Sequence, residues 1–206
     1  MLSSPPRLPP VFVPVIQQTP AFPTPEWLSR DQLIEAPSPI VLEWLFHEDS
    51  LTRRLTRLSD NRFCVSPQFE GWQRLRDDEC AALQLPEGSE GWVREVYLLG
   101  HDENWVFARS VAGRGALEHA GLHMDELGTR SLGELLFSDK AFVRGPLQVC
   151  RYPAKWLPAT DAQQGLWGRR SCFSRGALSI LVAEVFLPTA WRAIEAHLPL
   201  HAQEGR

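Results

Sequence analysis

The short patterns that announce common chemistries are missing from this 206-residue chain. It has no Gly-rich phosphate loop, no HExxH and no GxSxG, so P-loop nucleotide, zincin and α/β-hydrolase chemistry find no signature. Strand-like and helix-like segments do not alternate, which argues against a Rossmann fold. The four cysteines (Cys64, Cys80, Cys150 and Cys172) form no CxxC and no zinc-like spacing with histidine. They read as reduced, mostly buried thiols of a cytoplasmic protein. No apolar run approaches the roughly 20 residues that span a bilayer, and the N-terminus lacks a signal-peptide pattern. Basic excess is absent too: the net charge is −4 and the pI about 5.9, so nucleic acid and anionic membranes are poor partners. An acidic ligand would have to be met by local arginines. There is no internal repeat and no heptad seam, which points to a monomer.

What the chain does have is core material. Its 44% hydrophobic content suits one compact domain with some tail. Residues 1–37 form a proline-rich leader, since ten of the seventeen prolines fall within residues 1–39 and forbid a regular helix or central strand there. The leader reads as an extended arm, partly ordered, and dispensable for catalysis. The body spans 38–198, and 199–206 is a frayed tail. Ser38-Pro39 starts a helix, and Asp49-Ser50 starts another across a joint at HEDS. Residues 62–72 read as a strand broken at Pro67, and 74–90 as a polar loop. Two alternating segments flank HDEN (101–104) as a hairpin. Residues 115–137 look helical with breaks at Gly121 and Gly128, Ser131 capping the last piece. Residues 141–152 read as a strand kinked at Gly-Pro, 166–188 as a second hairpin turning at Arg175-Gly176, and 189–198 as a final helix. The sum is an α+β domain, a six-stranded antiparallel sheet with helices inserted in the connections and packed on one face.

One stretch stands out. Ser179–Pro188 (SILVAEVFLP) is an apolar run with a single carboxylate, Glu184, at its centre. An unpartnered ionised carboxylate in a core costs several kcal/mol, so Glu184 must be paired, protonated or in contact with a ligand. In a strand Val182, Glu184 and Phe186 share a face. A buried ion pair without chemistry satisfies the same pattern. The first hairpin places Arg94 with Trp92, Val96 and Leu98 on one face, and Arg109 with Trp105, Phe107 and Val111 on another. Inward arginines want a carboxylate, either Glu184 or a ligand's. Arg169 and Arg170 are adjacent, so one must point to each side of the sheet.

The segments EDSLTRRL (48–55), WVREVYLL (92–99), SLGELLF (131–137), LWGRRS (166–171) and AEVFLP (183–188) together resemble the chorismate lyase family in order and spacing. The resemblance covers about residues 38–190, and five short motifs in order make it specific. It implies a six-stranded antiparallel sheet and conversion of chorismate to 4-hydroxybenzoate and pyruvate without cofactor, at the opening of bacterial ubiquinone biosynthesis. It places the binding arginine on Arg94 and the buried glutamate on Glu184. It also implies backbone contacts to the ligand from Leu51, where the family commonly has methionine, and from Leu132. The family holds its product in a closed cavity, so product release can limit turnover.

Those residues suit the reaction. Arg94 can hold the ring carboxylate in a fork. The enolpyruvyl carboxylate needs a second cation, for which strand parity offers Arg109 or one of Arg169 and Arg170, with Arg170 the choice within that pair. Glu184 can orient the 4-hydroxyl or act as an acid on the departing oxygen, and the enolpyruvyl methylene can instead take the ring hydrogen itself. Two rivals remain. The fold also resembles the effector-binding domain of certain bacterial regulators, so a non-catalytic sensor of aromatic acids is an alternative. Such regulators carry a helix-turn-helix ahead of that domain, which a proline-rich leader cannot supply. The other rival is an interaction adaptor working through the proline arm.

Overall fold

The computed structural model describes residues 24–115, 117 and 127–198. Among these, seven antiparallel strands form one sheet: β1 (Phe63–Arg74), β2 (Glu90–Gly100), β3 (Glu103–Gly113), β4 (Val143–Arg144), β5 (Gln148–Arg151), β6 (Trp167–Arg175) and β7 (Leu178–Phe186). Their order is β1-β2-β3-β7-β6-β4, with β5 also paired to β6. β4 runs beside one end of β6 (Arg144 opposite Phe173) and β5 beside the other (Gln148 opposite Arg170). They are one edge strand interrupted at Gly145-Pro146, because proline has no N–H for the ladder. The six expected ribbons become seven strands through that break.

Local chemistry sets the turns. β2 and β3 close through His101 and Asp102 alone, both with positive φ (52° and 63°). That is the left-handed pair a tight hairpin turn requires. Glu103 and Asn104 of the expected four-residue turn therefore belong to β3. Gly176, at φ 58°, turns β6 into β7. Pro67 does not end β1, which slips register between Pro67 and Phe69 and continues. β1 is an edge strand, where a missing donor costs little.

The α-helices that accompany the sheet include α1 (Pro39–Leu45), α2 (Leu51–Leu58), α3 (Asp77–Ala82), α4 (Leu132–Ser138) and α5 (Pro188–Ala196). Ser38 precedes a proline at the first turn of α1. The Ser50 and Ser131 hydroxyls accept from the backbone N–H of Arg53 and Glu134, which caps α2 and α4. The helical run expected over 115–137 is helical at residues 115 and 117 and again over α4; the break expected at Gly121 lies outside the described residues. The stretch 74–90, expected to be loop, contains α3. Its polar letters mislead because Asp78 and Glu79 are buried and partnered.

Helices α1, α2, α4 and α5 pack on one face, against Val96, Leu98, Val106, Phe186, Phe173 and Ile180. Each fully buried side chain of this size stabilises by about 1.5–3 kcal/mol. The other face is covered as well. Tyr97, Phe107, Val111, Leu181 and Val185 lie beneath α3 and the 152–166 segment. Part of the leader belongs to the body. Leu28 and Val149 exchange two backbone hydrogen bonds of 2.8 Å, and the Trp27 indole N–H donates to Asp78 Oδ2 at 2.9 Å. All four cysteines are free thiols. No helix among the described residues is long and apolar enough to cross a membrane.

Candidate functional site

Strand register places the predicted residues. One row across the sheet reads Glu70, Arg94, Ser110, Val182, Ser171; the row two residues along reads Val96, Ala108, Glu184, Arg169. Side chains alternate along a strand, so both rows look toward the same face, the one under α1, α2 and α4. Arg94 and Glu184 thus share that face, two strands and two residues apart. Spacings of about 4.8 Å between strands and about 3.4 Å per residue put their Cα atoms roughly 12 Å apart.

Arg94 is 2% exposed. Its Nε–H donates to Glu70 Oε1 at 2.5 Å, and Nη2 donates to the carbonyls of Gly128 (2.6 Å) and Arg130 (3.1 Å). Nη1 makes no hydrogen bond to the described residues, so one edge of a rigidly held guanidinium is uncommitted. Glu184 Oε2 accepts from Arg169 Nε at 2.7 Å, which leaves Oε1 without a partner among the described residues. Arg169, 1% exposed, also donates through Nη1 to the carbonyls of Trp44 (2.9 Å) and His47 (3.1 Å). It ties the centre of the sheet to the α1–α2 joint. Beside it, Arg144 donates from Nε to Ser171 Oγ at 2.8 Å and from Nη1 to the Glu48 carbonyl at 2.7 Å. Burial lowers the Arg144 pKa from its ordinary value; the Glu184 carboxylate pulls it back up, and Arg169 pushes it further down.

Glu184, Arg169, Ser171 and Arg144, with Val182 and Phe173, form the floor of an enclosed chamber that Arg94, on the same face, does not line. Its roof is Leu51 and Thr52 at the start of α2, with Gly133, Leu136 and Phe137 of α4. A hydrogen bond of 2.7 Å between the Thr52 and Ser131 hydroxyls joins the two helix starts. Gly133 permits their approach, since a Cβ there would sit 3.2 Å from Thr52 Oγ1. The chamber is only about 10 Å³, close to the minimum for one water. Thr52 and Ser131 also line an open groove of about 820 Å³ with Arg53, Arg57 and Arg130, so their contact separates groove from chamber.

Leu51 and Leu132, both buried, are the first residues of α2 and α4. Leu51 reaches the chamber wall and Leu132 lies beside Gly133. Arg109 and Arg170 are not brought to the site. They project from the opposite face, as their pairing with Ala183 requires. Arg109 donates to Glu79 (2.6 and 3.0 Å) and to Glu95 (2.8 Å). Burial opposes its charge, but those two carboxylates more than offset it and hold its pKa above the ordinary value. Arg170 meets Asp78 at 3.2 Å and Gln148 at 3.0 Å. Both arginines serve a buried network around α3, so the parity argument fails for them. Arg169, the other member of the adjacent pair, does point to the site face. Two residues of the site side were not anticipated. Glu70 faces Arg94 only because of the β1 bulge, which no spacing rule reveals. Arg144, set among apolar residues in AFVRGP, carries the same signal that singles out Arg94.

The family model described as chorismate lyase matches residues 23–195, which makes the protein a carbon–oxygen lyase. The chain belongs to the chorismate lyase family. It is similar to a "Probable chorismate pyruvate-lyase" of Pseudomonas syringae pv. syringae (strain B728a), 71% identical over 178 residues, which cover 86% of this chain and 96% of that protein. It is also similar to the protein of the same description in Pseudomonas aeruginosa (strain UCBPP-PA14), 68% identical over 165 residues, 80% of this chain and 92% of that one. Among solved structures, the C-terminal domain of the histidine utilization repressor from Pseudomonas syringae pv. tomato superposes with a TM-score of 0.46 at 11% identity. That match covers 63% of this chain and 94% of the other, a likeness too distant to bear on function.

Proposed function

We propose that the chain converts chorismate to 4-hydroxybenzoate and pyruvate, with Arg94 and Glu184 as the two poles of the site. The observation that carries this reading is the shared face: Arg94 and Glu184 project from the same side of the sheet, their Cα atoms roughly 12 Å apart by strand spacing. Side chains reaching inward from such positions leave room between them for one ring bearing a carboxylate at one end and a hydroxyl at the other.

In this reading the uncommitted Nη1 edge of Arg94 takes the ring carboxylate, Glu70 holding the guanidinium still. Charge-assisted hydrogen bonds of this kind are worth about 1.5–3 kcal/mol. Glu184 Oε1 accepts the 4-hydroxyl, since Oε2 is occupied by Arg169. The C3–O bond then breaks as the C4 hydrogen leaves, and aromatisation drives the step. The carbon–oxygen electron pair departs with enolpyruvate, which becomes pyruvate once its methylene gains a proton. Positioning and fixed charge are what the protein supplies. The Arg169–Glu184 pair favours the orienting role for the glutamate, because a carboxylate held by a guanidinium is set up to accept.

Ligand pockets usually measure about 300–1,000 Å³, so the chamber must expand before a ring can enter. The α2–α4 roof is the part that can separate, at the Thr52–Ser131 contact, onto the arginine-lined groove. Re-closure would sequester the product, and re-opening would then limit turnover. A cytoplasmic enzyme at the first step of ubiquinone biosynthesis is the setting that fits. The test is direct: the purified chain is incubated with chorismate, pyruvate is read by coupled reduction with lactate dehydrogenase, and 4-hydroxybenzoate by absorbance. Equimolar release of both is expected. Binding of 4-hydroxybenzoate with no pyruvate formed would replace the lyase by a sensor.

A further inference from the structure

Charge around the chamber does not balance. Two guanidiniums, Arg144 and Arg169, line it with one carboxylate, Glu184. Arg169 is committed to that carboxylate at 2.7 Å. Arg144 has no carboxylate within ion-pair distance among the described residues; its hydrogen bonds go to a hydroxyl and a backbone carbonyl. Its guanidinium carbon lies 5.3 Å from the Phe173 ring centre and 5.6 Å from that of Phe137, so aromatic faces border it on two sides. Its second terminal nitrogen makes no hydrogen bond to the described residues. A half-buried cation with a free donor beside a closed cavity is a site for an anion.

We infer that Arg144 holds the second carboxylate of the substrate, the one on the enolpyruvyl arm. This rests on the lyase reading and deepens it. Arg94 and Glu184 grip groups that substrate and aromatic product share, so neither tells them apart. Arg144 grips a carboxylate that only the substrate carries and that leaves with pyruvate. It is therefore the residue by which the site prefers a dianion to the monoanionic product. The place expected for Arg109 or Arg170 is filled from β4, on the correct face of the sheet.

The test separates substrate from product. In Arg144→Gln the KM for chorismate should rise about 10- to 100-fold, the loss of one charge-assisted contact. The Kd for 4-hydroxybenzoate, followed by tryptophan fluorescence, should change by less than about threefold, because that ligand lacks the second carboxylate. Arg144→Lys keeps the charge without the fork and should fall between wild type and Arg144→Gln in KM, with the same unchanged Kd. It gives the reading if the glutamine variant does not fold. An unchanged KM, or a product Kd weakened by the same factor as KM, overturns the assignment and leaves Arg144 a strut between β4 and the α1–α2 joint. A wild-type protein that forms no pyruvate would instead overturn the lyase reading, so the two failures are distinct.

Discussion

Arg169→Met should destabilise the fold far more than a surface arginine would. The guanidinium is 1% exposed and makes three hydrogen bonds, to Glu184, to the Trp44 carbonyl and to the His47 carbonyl. Methionine fills much of the volume but returns none of them. The Glu184 side chain is 15% exposed and would lose its partner. Breaking one side of a buried pair costs about 3–5 kcal/mol. For a chain of this length each kcal/mol moves the midpoint by about 2–4 °C, so thermal unfolding should shift down by roughly 6–20 °C. The double variant Arg169→Met/Glu184→Met removes the orphaned charge as well. It should recover part of the loss but not all, because the two α1-side carbonyls still lack their donor. A single-variant shift under about 2 °C, or a double variant no better than the single, would show that the pair does not anchor the sheet to the α1–α2 joint.

Glu184→Gln and Arg94→Gln should each lower kcat/KM for chorismate at least about tenfold with the circular dichroism unchanged, since each removes a charged contact worth about 1.5–3 kcal/mol. Deleting residues 1–37 should lower the unfolding midpoint by several degrees, while deleting 1–23 keeps the Trp27–Asp78 and Leu28–Val149 contacts and should not; equal stability of the two would refute the docking of residues 27–28. The chain has two tyrosines, and burial raises both to about 12, with the Asp161 hydrogen bond adding to the rise at Tyr97 and Arg76 opposing it at Tyr152. A raised folded pKa favours the protonated, folded form, so this stability is whole below pH 10 and is lost as pH climbs toward about 12. A tyrosinate absorbance step near pH 10 in the folded protein would contradict that.

How far the sequence could be read depended on whether a residue's neighbours were local. Glu184 announced itself because a carboxylate inside SILVAEVFLP has no cheap explanation, and Arg94 because it alternates with apolar residues. The hairpins were legible from their turn residues. Strand parity grouped side chains within each strand, but parity alone cannot say which groups of different strands share a face. That takes the register between strands, and Ala183, not Glu184, stands opposite Arg109. The same limit hid Arg144, which comes to the site through the pairing of β4 with β6. α3 escaped because its acidic first turn looks solvated, whereas Asp78 and Glu79 are partners of Arg170 and Arg109. Proline counting was silent about Trp27 and Leu28, whose contacts lie more than 50 and 120 residues away.

The most direct measurement compares 4-hydroxybenzoate with benzoate, which lacks the hydroxyl, as ligands of the wild type and two variants. If Arg94 and Glu184 grip opposite ends of one ring, wild type should prefer 4-hydroxybenzoate by about tenfold or more. Glu184→Gln should shrink that preference severalfold, and Arg94→Gln should weaken both ligands alike while leaving the preference intact. Equal affinity of the wild type for the two ligands, or a preference untouched by Glu184→Gln, would mean that the carboxylate does not face the ring.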